Sequence, residues 1–247
     1  MTTVQPTLVQ SLANPTRFMA LSARVLPWLT GAAAVVMAIG LYQAFVVSPA
    51  DYQQGQTVRI MYVHVPSAWL AMVAYLTVAA SSFGLLVFRH PLADVSARAA
   101  APIGAAFTLL ALVTGSLWGK PMWGTYWVWD ARLTSMLLLF FLYLGLIALR
   151  SSVEDETAAS KLTAILALVG VSLLPVIKFS VEWWHTLHQP STKLTTTLDA
   201  AFRVPLLINA LGFTLLFLAL HIKAMRNEVL RRRVSSLQRA AVRQAGG

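Results

Sequence analysis

Apolar residues in this chain come in long blocks, and the charged residues mark where the blocks end. Residues 25–47 carry no charge at all. The next blocks run over 60–88 between Arg59 and Arg89, 99–119 between Arg98 and Lys120, and 133–149 between Arg132 and Arg150. Two more run over 162–177 between Lys161 and Lys178, and over 204–222 between Arg203 and Lys223. A helix crossing the hydrocarbon layer needs about 20 residues. Four blocks reach that length directly; the fourth and fifth reach it by extending through polar-tolerant turns at their outer ends. Barrel strands would alternate apolar with polar positions, and these blocks do not. The pattern therefore predicts an all-α membrane protein, a bundle of six transmembrane helices forming one domain over 1–247. Approximate spans are 25–47, 62–88, 101–119, 133–149, 162–180 and 204–222.

Proline refines the reading. Pro27, Pro66, Pro102 and Pro205 stand near the starts of their segments, where a missing N–H costs nothing. Pro175 comes late in the fifth segment and predicts a kink there. Orientation follows from Lys and Arg. With the N-terminus inside, thirteen of the nineteen fall on the inner side and six on the outer. That bias predicts both termini in the cytoplasm.

Composition agrees with the blocks: 57% of the 247 residues are hydrophobic and only 11% charged, against about a quarter charged in a soluble domain. The net charge of +10 concentrates in the tail 223–247. There it faces anionic lipid headgroups, so membrane lipid is the expected partner of that charge and nucleic acid is not. The first apolar block is too long for a signal-peptide core and lacks a small-x-small site after it. No internal repeat is visible. The chain has no Cys, which excludes thiolate ligands and redox thiols.

The candidate chemistry lies on the outer side. Four of the eight Trp, Trp118, Trp123, Trp127 and Trp129, fall in the stretch 118–134 between the third and fourth helices. Trp183 and Trp184 fall between the fifth and sixth. An interfacial belt would place Trp on both faces, but the inner face has only Trp28. Flat aromatic surface clustered on one side suits a large planar ligand. His64, His185 and His188 share that side, whereas His90 and His221 belong to the inner ends. Without Cys, imidazole is the natural axial ligand for a haem iron. His64 stands just before Pro66 at an expected helix start, where the helix dipole would keep the ring neutral. Lys120, Arg132, Lys178, Lys193 and Arg203 could pair with carboxylates of such a ligand or snorkel at helix ends. Asp130 could orient an indole N–H or pair with Arg132; no second carboxylate stands near it in sequence, so no catalytic residue is assigned.

The stretch Trp123-Gly124-Thr125-Tyr126-Trp127-Val128-Trp129-Asp130-Ala131-Arg132-Leu133-Thr134 resembles the tryptophan-rich WWD signature, W-G-x-x-W-x-W-D-x-R-L-T, of haem-handling proteins in cytochrome c biogenesis. Residues 62–69, around His64, and 179–189, around His185 and His188, are similar to that family's two histidine segments. Length and helix number match its short branch, the haem exporter C proteins of bacterial system I. The resemblance implies haem b, held non-covalently, with His64 and His188 as axial ligands of the iron beside the Trp loop; His185 is an extra candidate. It implies a periplasmic haem chaperone as recipient, and an ATP-binding-cassette pair and a small single-helix subunit as partners. The chain has no P-loop of its own, so its expected share is binding and orientation rather than independent catalysis. Two rivals remain: a subunit that carries haem across the bilayer, and an electron-transfer protein with a second haem on His90 and His221. His64 and His90 are roughly 39 Å apart along a straight helix, so they cannot share one haem.

Overall fold

Small side chains decide which helices come closest. The computed structural model describes residues 14–188 and 198–245. Among these, α1 is Pro15–Tyr42, α2 Met61–Phe88, α3 Ala93–Trp123, α4 Ala131–Ser152, α5 Glu156–Gly170, α6 Leu173–Trp183 and α7 Ala200–Ala245. A π-helical turn, Gln43–Val47, extends α1, and a 3-10 turn, Gln56–Ile60, leads into α2. With α5 and α6 taken as one path, six helical segments are long and apolar enough to cross a membrane. This is an all-α, multi-pass membrane protein.

The α2–α3 pair forms the centre. Ala71, Ala74 and Val78 of α2 share one buried cluster with Ala100, Ala101, Ala105 and Ala111 of α3, and the two helices pack along their length. Short side chains let two backbones approach where lipid offers no hydrophobic drive for association. Around this pair, α7 packs against both α2 and α3 and carries α1 on its other side, while α4, α5 and α6 close the opposite flank. Two buried tyrosines tie that flank to the centre. The Tyr143 hydroxyl donates to the Ala71 carbonyl at 2.7 Å and the Tyr75 hydroxyl to the Ala167 carbonyl at 3.1 Å.

The helix ends differ from the sequence expectation in three places. Pro27, Pro66, Pro102 and Pro205 lie inside helices rather than in first turns, because the helices start further upstream. Thus α1 opens at Pro15 under an Asn14 cap that accepts from the Thr16 and Arg17 amides. Interior prolines are tolerable in a packed membrane bundle because neighbouring groups take up the freed carbonyls. Second, the expected loop 118–134 is shorter. Helix α3 runs through Pro121 to Trp123 and stops where Gly124 turns left-handed at φ 78°, its amide donating to the Lys120 carbonyl. Third, the basic tail continues α7 as helix to Ala245. The kink expected at Pro175 is a break at 171–172. Pro175 has no N–H for the Val171 carbonyl, which accepts instead from the Leu174 amide at 3.1 Å.

At the end of the bundle opposite Trp123, acidic and basic groups interlock. Asp94 takes both guanidinium nitrogens of Arg150 at 2.7 Å and a further contact from Arg232. Glu228 takes Arg231, Arg232 and Arg98. Asp94 and the Arg150 side chain are both buried. Removing one partner of a buried pair strands the other charge. Asp94→Ala should therefore lower stability by roughly 3–5 kcal/mol, visible as a lower melting temperature of the detergent-purified chain; an unchanged melt would show the network to be solvated.

Candidate functional site

One face of α3 builds half the site. Ala111, Thr114, Gly115 and Trp118 recur at i, i+3, i+4 and i+7, so they form a single stripe, and His64 of α2 lies across it. Its Nδ1 donates to the Ala111 carbonyl at 3.0 Å. Thr114 Oγ1 is 3.1 Å from the same nitrogen and gives its own proton to the Leu110 carbonyl. A carbonyl only accepts, so Nδ1 carries the hydrogen and the lone pair stays on Nε2. Gly115 is needed for this approach, since a Cβ there would stand 2.9 Å from His64 Cε1. The Trp118 ring meets the imidazole edge-on, with centroids 5.7 Å apart and planes at 74°. His64 is the fourth residue of α2, and the hydrogen bond at Nδ1 fixes its tautomer.

His188 enters from the other flank, on the segment after α6. Its ring stands 5.0 Å from that of Trp123, nearly perpendicular to it. The His188 amide donates to Thr186 Oγ1 at 3.1 Å, and the Thr186 hydroxyl donates to Asp130 Oδ2. The other Asp130 oxygen caps α4 by accepting from the Leu133 amide at 2.7 Å. One carboxylate thereby joins the tryptophan loop, the start of α4 and the His188 segment. No ion pair forms between Asp130 and Arg132 among the described residues. Burial pulls the pKa of His188 down to about 4, with nearby Arg132 adding to the shift and Asp130 opposing it.

His64, His188, Trp118, Trp123, Trp127, Arg132 and Lys178 all line one cavity of about 400 Å³. Ligand pockets commonly fall in the range of about 300–1,000 Å³. Trp69, Met72, Met122 and Met136 complete its apolar wall. The methionines drew no notice in the sequence, because a Met in an apolar block looks like any other filler. Two donors facing this region, Trp127 Nε1 and Arg132 Nε, are buried without a partner.

The remaining candidates stand outside the wall. Trp129 is 75% exposed and packs edge-on against Trp127 at 5.4 Å. His185 is exposed. Lys120 donates to the Gly124 carbonyl at 2.9 Å and lies over the Tyr126 ring. Arg203 is half-buried in the first turn of α7. Lys193 falls outside the described residues. His90 and His221 make no second site together: His90 Nδ1 accepts from the Leu92 amide, and His221 stacks on Phe217 with Nε2 against the Ser96 hydroxyl.

The family model for heme exporter protein C matches residues 8–240. The chain belongs to the heme exporter protein C family. It is 62% identical to heme exporter protein C of Bradyrhizobium diazoefficiens, over 92% of this chain and 87% of that protein. It is 49% identical to heme exporter protein C of Escherichia coli, over 90% of this chain and 91% of that one. A putative cytochrome c biosynthesis ccmC-like mitochondrial protein of Marchantia polymorpha is 46% identical over 80% of this chain and 85% of its own length.

The His188 environment has a pH signature. Its folded pKa of about 4 lies below the unfolded value of about 6.5. Stability from the neutral ring is then complete above about pH 6.5 and is lost as pH falls toward 4. In an NMR titration of imidazole-labelled protein, the His188 signal should stay neutral from pH 8 to 5; a midpoint near 6.5 would place the ring in water.

Proposed function

We propose that this member of the heme exporter protein C family binds haem b non-covalently between His64 and His188 and presents it to a periplasmic haem chaperone for cytochrome c biogenesis. The observation that carries this reading is the convergence of the two histidines on one cavity walled by tryptophan. Bound there, haem would supply an iron with two axial positions, a flat macrocycle and two carboxylates. The residues present fit each part. His64 offers the lone pair of Nε2, and His188 stays neutral at physiological pH. Trp118, Trp123 and Trp127 give flat apolar area with few rotors to freeze. The unpartnered Trp127 and Arg132 donors suit the carboxylates, as a buried N–H without an acceptor is otherwise costly. Lys178, exposed on the cavity wall, adds a second cation.

The residues outside the wall take supporting parts. Asp130 and Thr186 hold the His188 segment against the Trp loop. Trp129 presents an exposed indole beside Trp127, suited to a protein recipient rather than to the ligand. Lys120 closes the end of α3. The family's name speaks of export, and the chain carries no nucleotide-binding loop. The resemblance to the haem-handling family implies an ATP-binding-cassette pair and a small single-helix subunit as membrane partners. The distribution of Lys and Arg supports a site on the periplasmic face of the bacterial inner membrane, with both termini cytoplasmic.

Two experiments test the reading. Purified chain should show a haem absorption spectrum at one haem per chain. His64→Ala and His188→Ala should each lose most of it, while His185→Ala keeps it. If His185→Ala alone abolishes the spectrum, the ligand pair is wrong. Haem transfer to the chaperone should fall in a triple Trp123/Trp127/Trp129→Ala variant at unchanged membrane level; full transfer would leave the indoles as interface anchors only.

Orientation is tested independently with reporter fusions. A cytoplasmic reporter fused after residue 247 should be active, and a periplasmic reporter inserted at 125 should be active too. A periplasmic signal from the C-terminal fusion would invert the topology and remove the route to a periplasmic recipient.

A further inference from the structure

The first loop of the Trp-bearing end, residues 48–55, drew no candidate in the sequence, yet it reaches the site. Asp51 and Gly55 pair through both backbone hydrogen bonds, at 3.1 and 2.9 Å, with Gly55 at a positive φ of 56°. The Asp51 carboxylate accepts from the Gln53 and Gln54 amides at 2.9 and 2.8 Å. This closed turn fixes the backbone of Gln54. The Gln54 side chain then accepts the Trp118 indole N–H through Oε1 at 2.8 Å.

That bond separates Trp118 from its neighbour in the cavity wall. The Trp127 N–H is buried and unpartnered, and so remains available to a ligand. The Trp118 N–H is already spent on Gln54, so Trp118 cannot serve a carboxylate. Its ring instead bears edge-on against His64. Its other side packs in the small cluster around Val58, Met61, Tyr62 and Leu206. An indole has two rotatable bonds, and a hydrogen bond at its far end removes the freedom that packing leaves. The imidazole is held at Nδ1 by α3 and along its edge by this indole.

We propose that Gln54 is a positioning residue of the haem site: by accepting the Trp118 N–H it fixes the indole that sets the plane of the His64 ring. This rests on the reading of His64 as an axial ligand. Gln54 touches neither iron nor haem; it acts through Trp118. Partners of this kind, one step removed from a ligand, typically change metal affinity by about 10- to 100-fold when lost.

The test uses the full-length chain in detergent, titrated with haemin, in wild type, Gln54→Leu, Gln54→Glu, Trp118→Phe and the Gln54→Leu/Trp118→Phe pair. Gln54→Leu removes the acceptor; Gln54→Glu keeps one. In haem-free protein labelled with ¹⁵N-Trp, Gln54→Leu should shift the Trp118 indole cross-peak and Gln54→Glu should leave it hydrogen-bonded. With haemin, Gln54→Leu should weaken binding by about tenfold and change the spread of the low-spin g-values, which report imbalance in ligand-plane orientation. Gln54→Glu should stay near wild type in both. In the Trp118→Phe background Gln54→Leu should add nothing. An equal loss in that background, or unchanged affinity and g-values in Gln54→Leu, overturns the proposal. If Gln54→Leu fails to fold, Gln54→Asn withdraws the same amide by one methylene, and the same readouts decide. A wild-type affinity indifferent to His64→Ala would instead sink the haem reading; the indole cross-peak would still decide whether Gln54 holds Trp118, an unmoved peak overturning the strut.

Discussion

The close approach of α2 and α3 is the constraint on which the rest depends. Only short side chains let the two backbones lie near enough for an imidazole on one to reach a main-chain carbonyl on the other. Ala71, Ala74, Ala101 and Ala105 lie in one buried cluster, and Ala111 and Gly115 of α3 reach His64 at the site. In lipid, such packing and the hydrogen bonds it permits supply what water supplies elsewhere. The His64 contact to Ala111 fixes one ring nitrogen as donor and leaves the other as acceptor. A larger side chain at Gly115 would push the ring away and undo that assignment without altering either histidine.

The two ends of the bundle treat charge in opposite ways. At the end bearing Asp94 and Glu228, the guanidinium groups of Arg98, Arg150, Arg231 and Arg232 meet carboxylates. That network staples α3, α4 and α7 together. At the other, Arg132 and Trp127 keep buried donors unpaired. Desolvating those groups is costly during folding, and an acceptor arriving later does not have to meet that cost again. The rigid end thus supports an end that is prepared but incomplete.

Most of the architecture was legible because hydrocarbon thickness and charge placement dictate helix number directly. Helix boundaries were less so. Gly119 and Pro121 lie within α3 and only Gly124 breaks it, since Pro121 lies so near the end that few bonds remain to lose. The histidines and tryptophans stood out as rare residue types in an apolar chain. Their supports did not. Thr114, Gly115, Thr186 and Gln54 are common residues whose parts arise from contacts across 50 or more positions of sequence. The Ala111-Thr114-Gly115-Trp118 stripe is visible in the sequence once a partner helix is known. No periodicity in one segment says which partner it faces.

The break at 171–172 sets the character of the cavity. It lets α6 pack on α4 and swing the His188 segment inward, while His64 belongs to the α2–α3 seam. The two imidazoles therefore hang from different layers of the bundle, which meet at this end where the His188 ring stands against Trp123 of α3. A guest gripped from both sides would act as a clasp, and its hold would include the entropic cost of keeping the layers in register. Such a clasp can be opened by parting the layers. For a carrier, tight retention and easy surrender then become properties of two separate degrees of freedom.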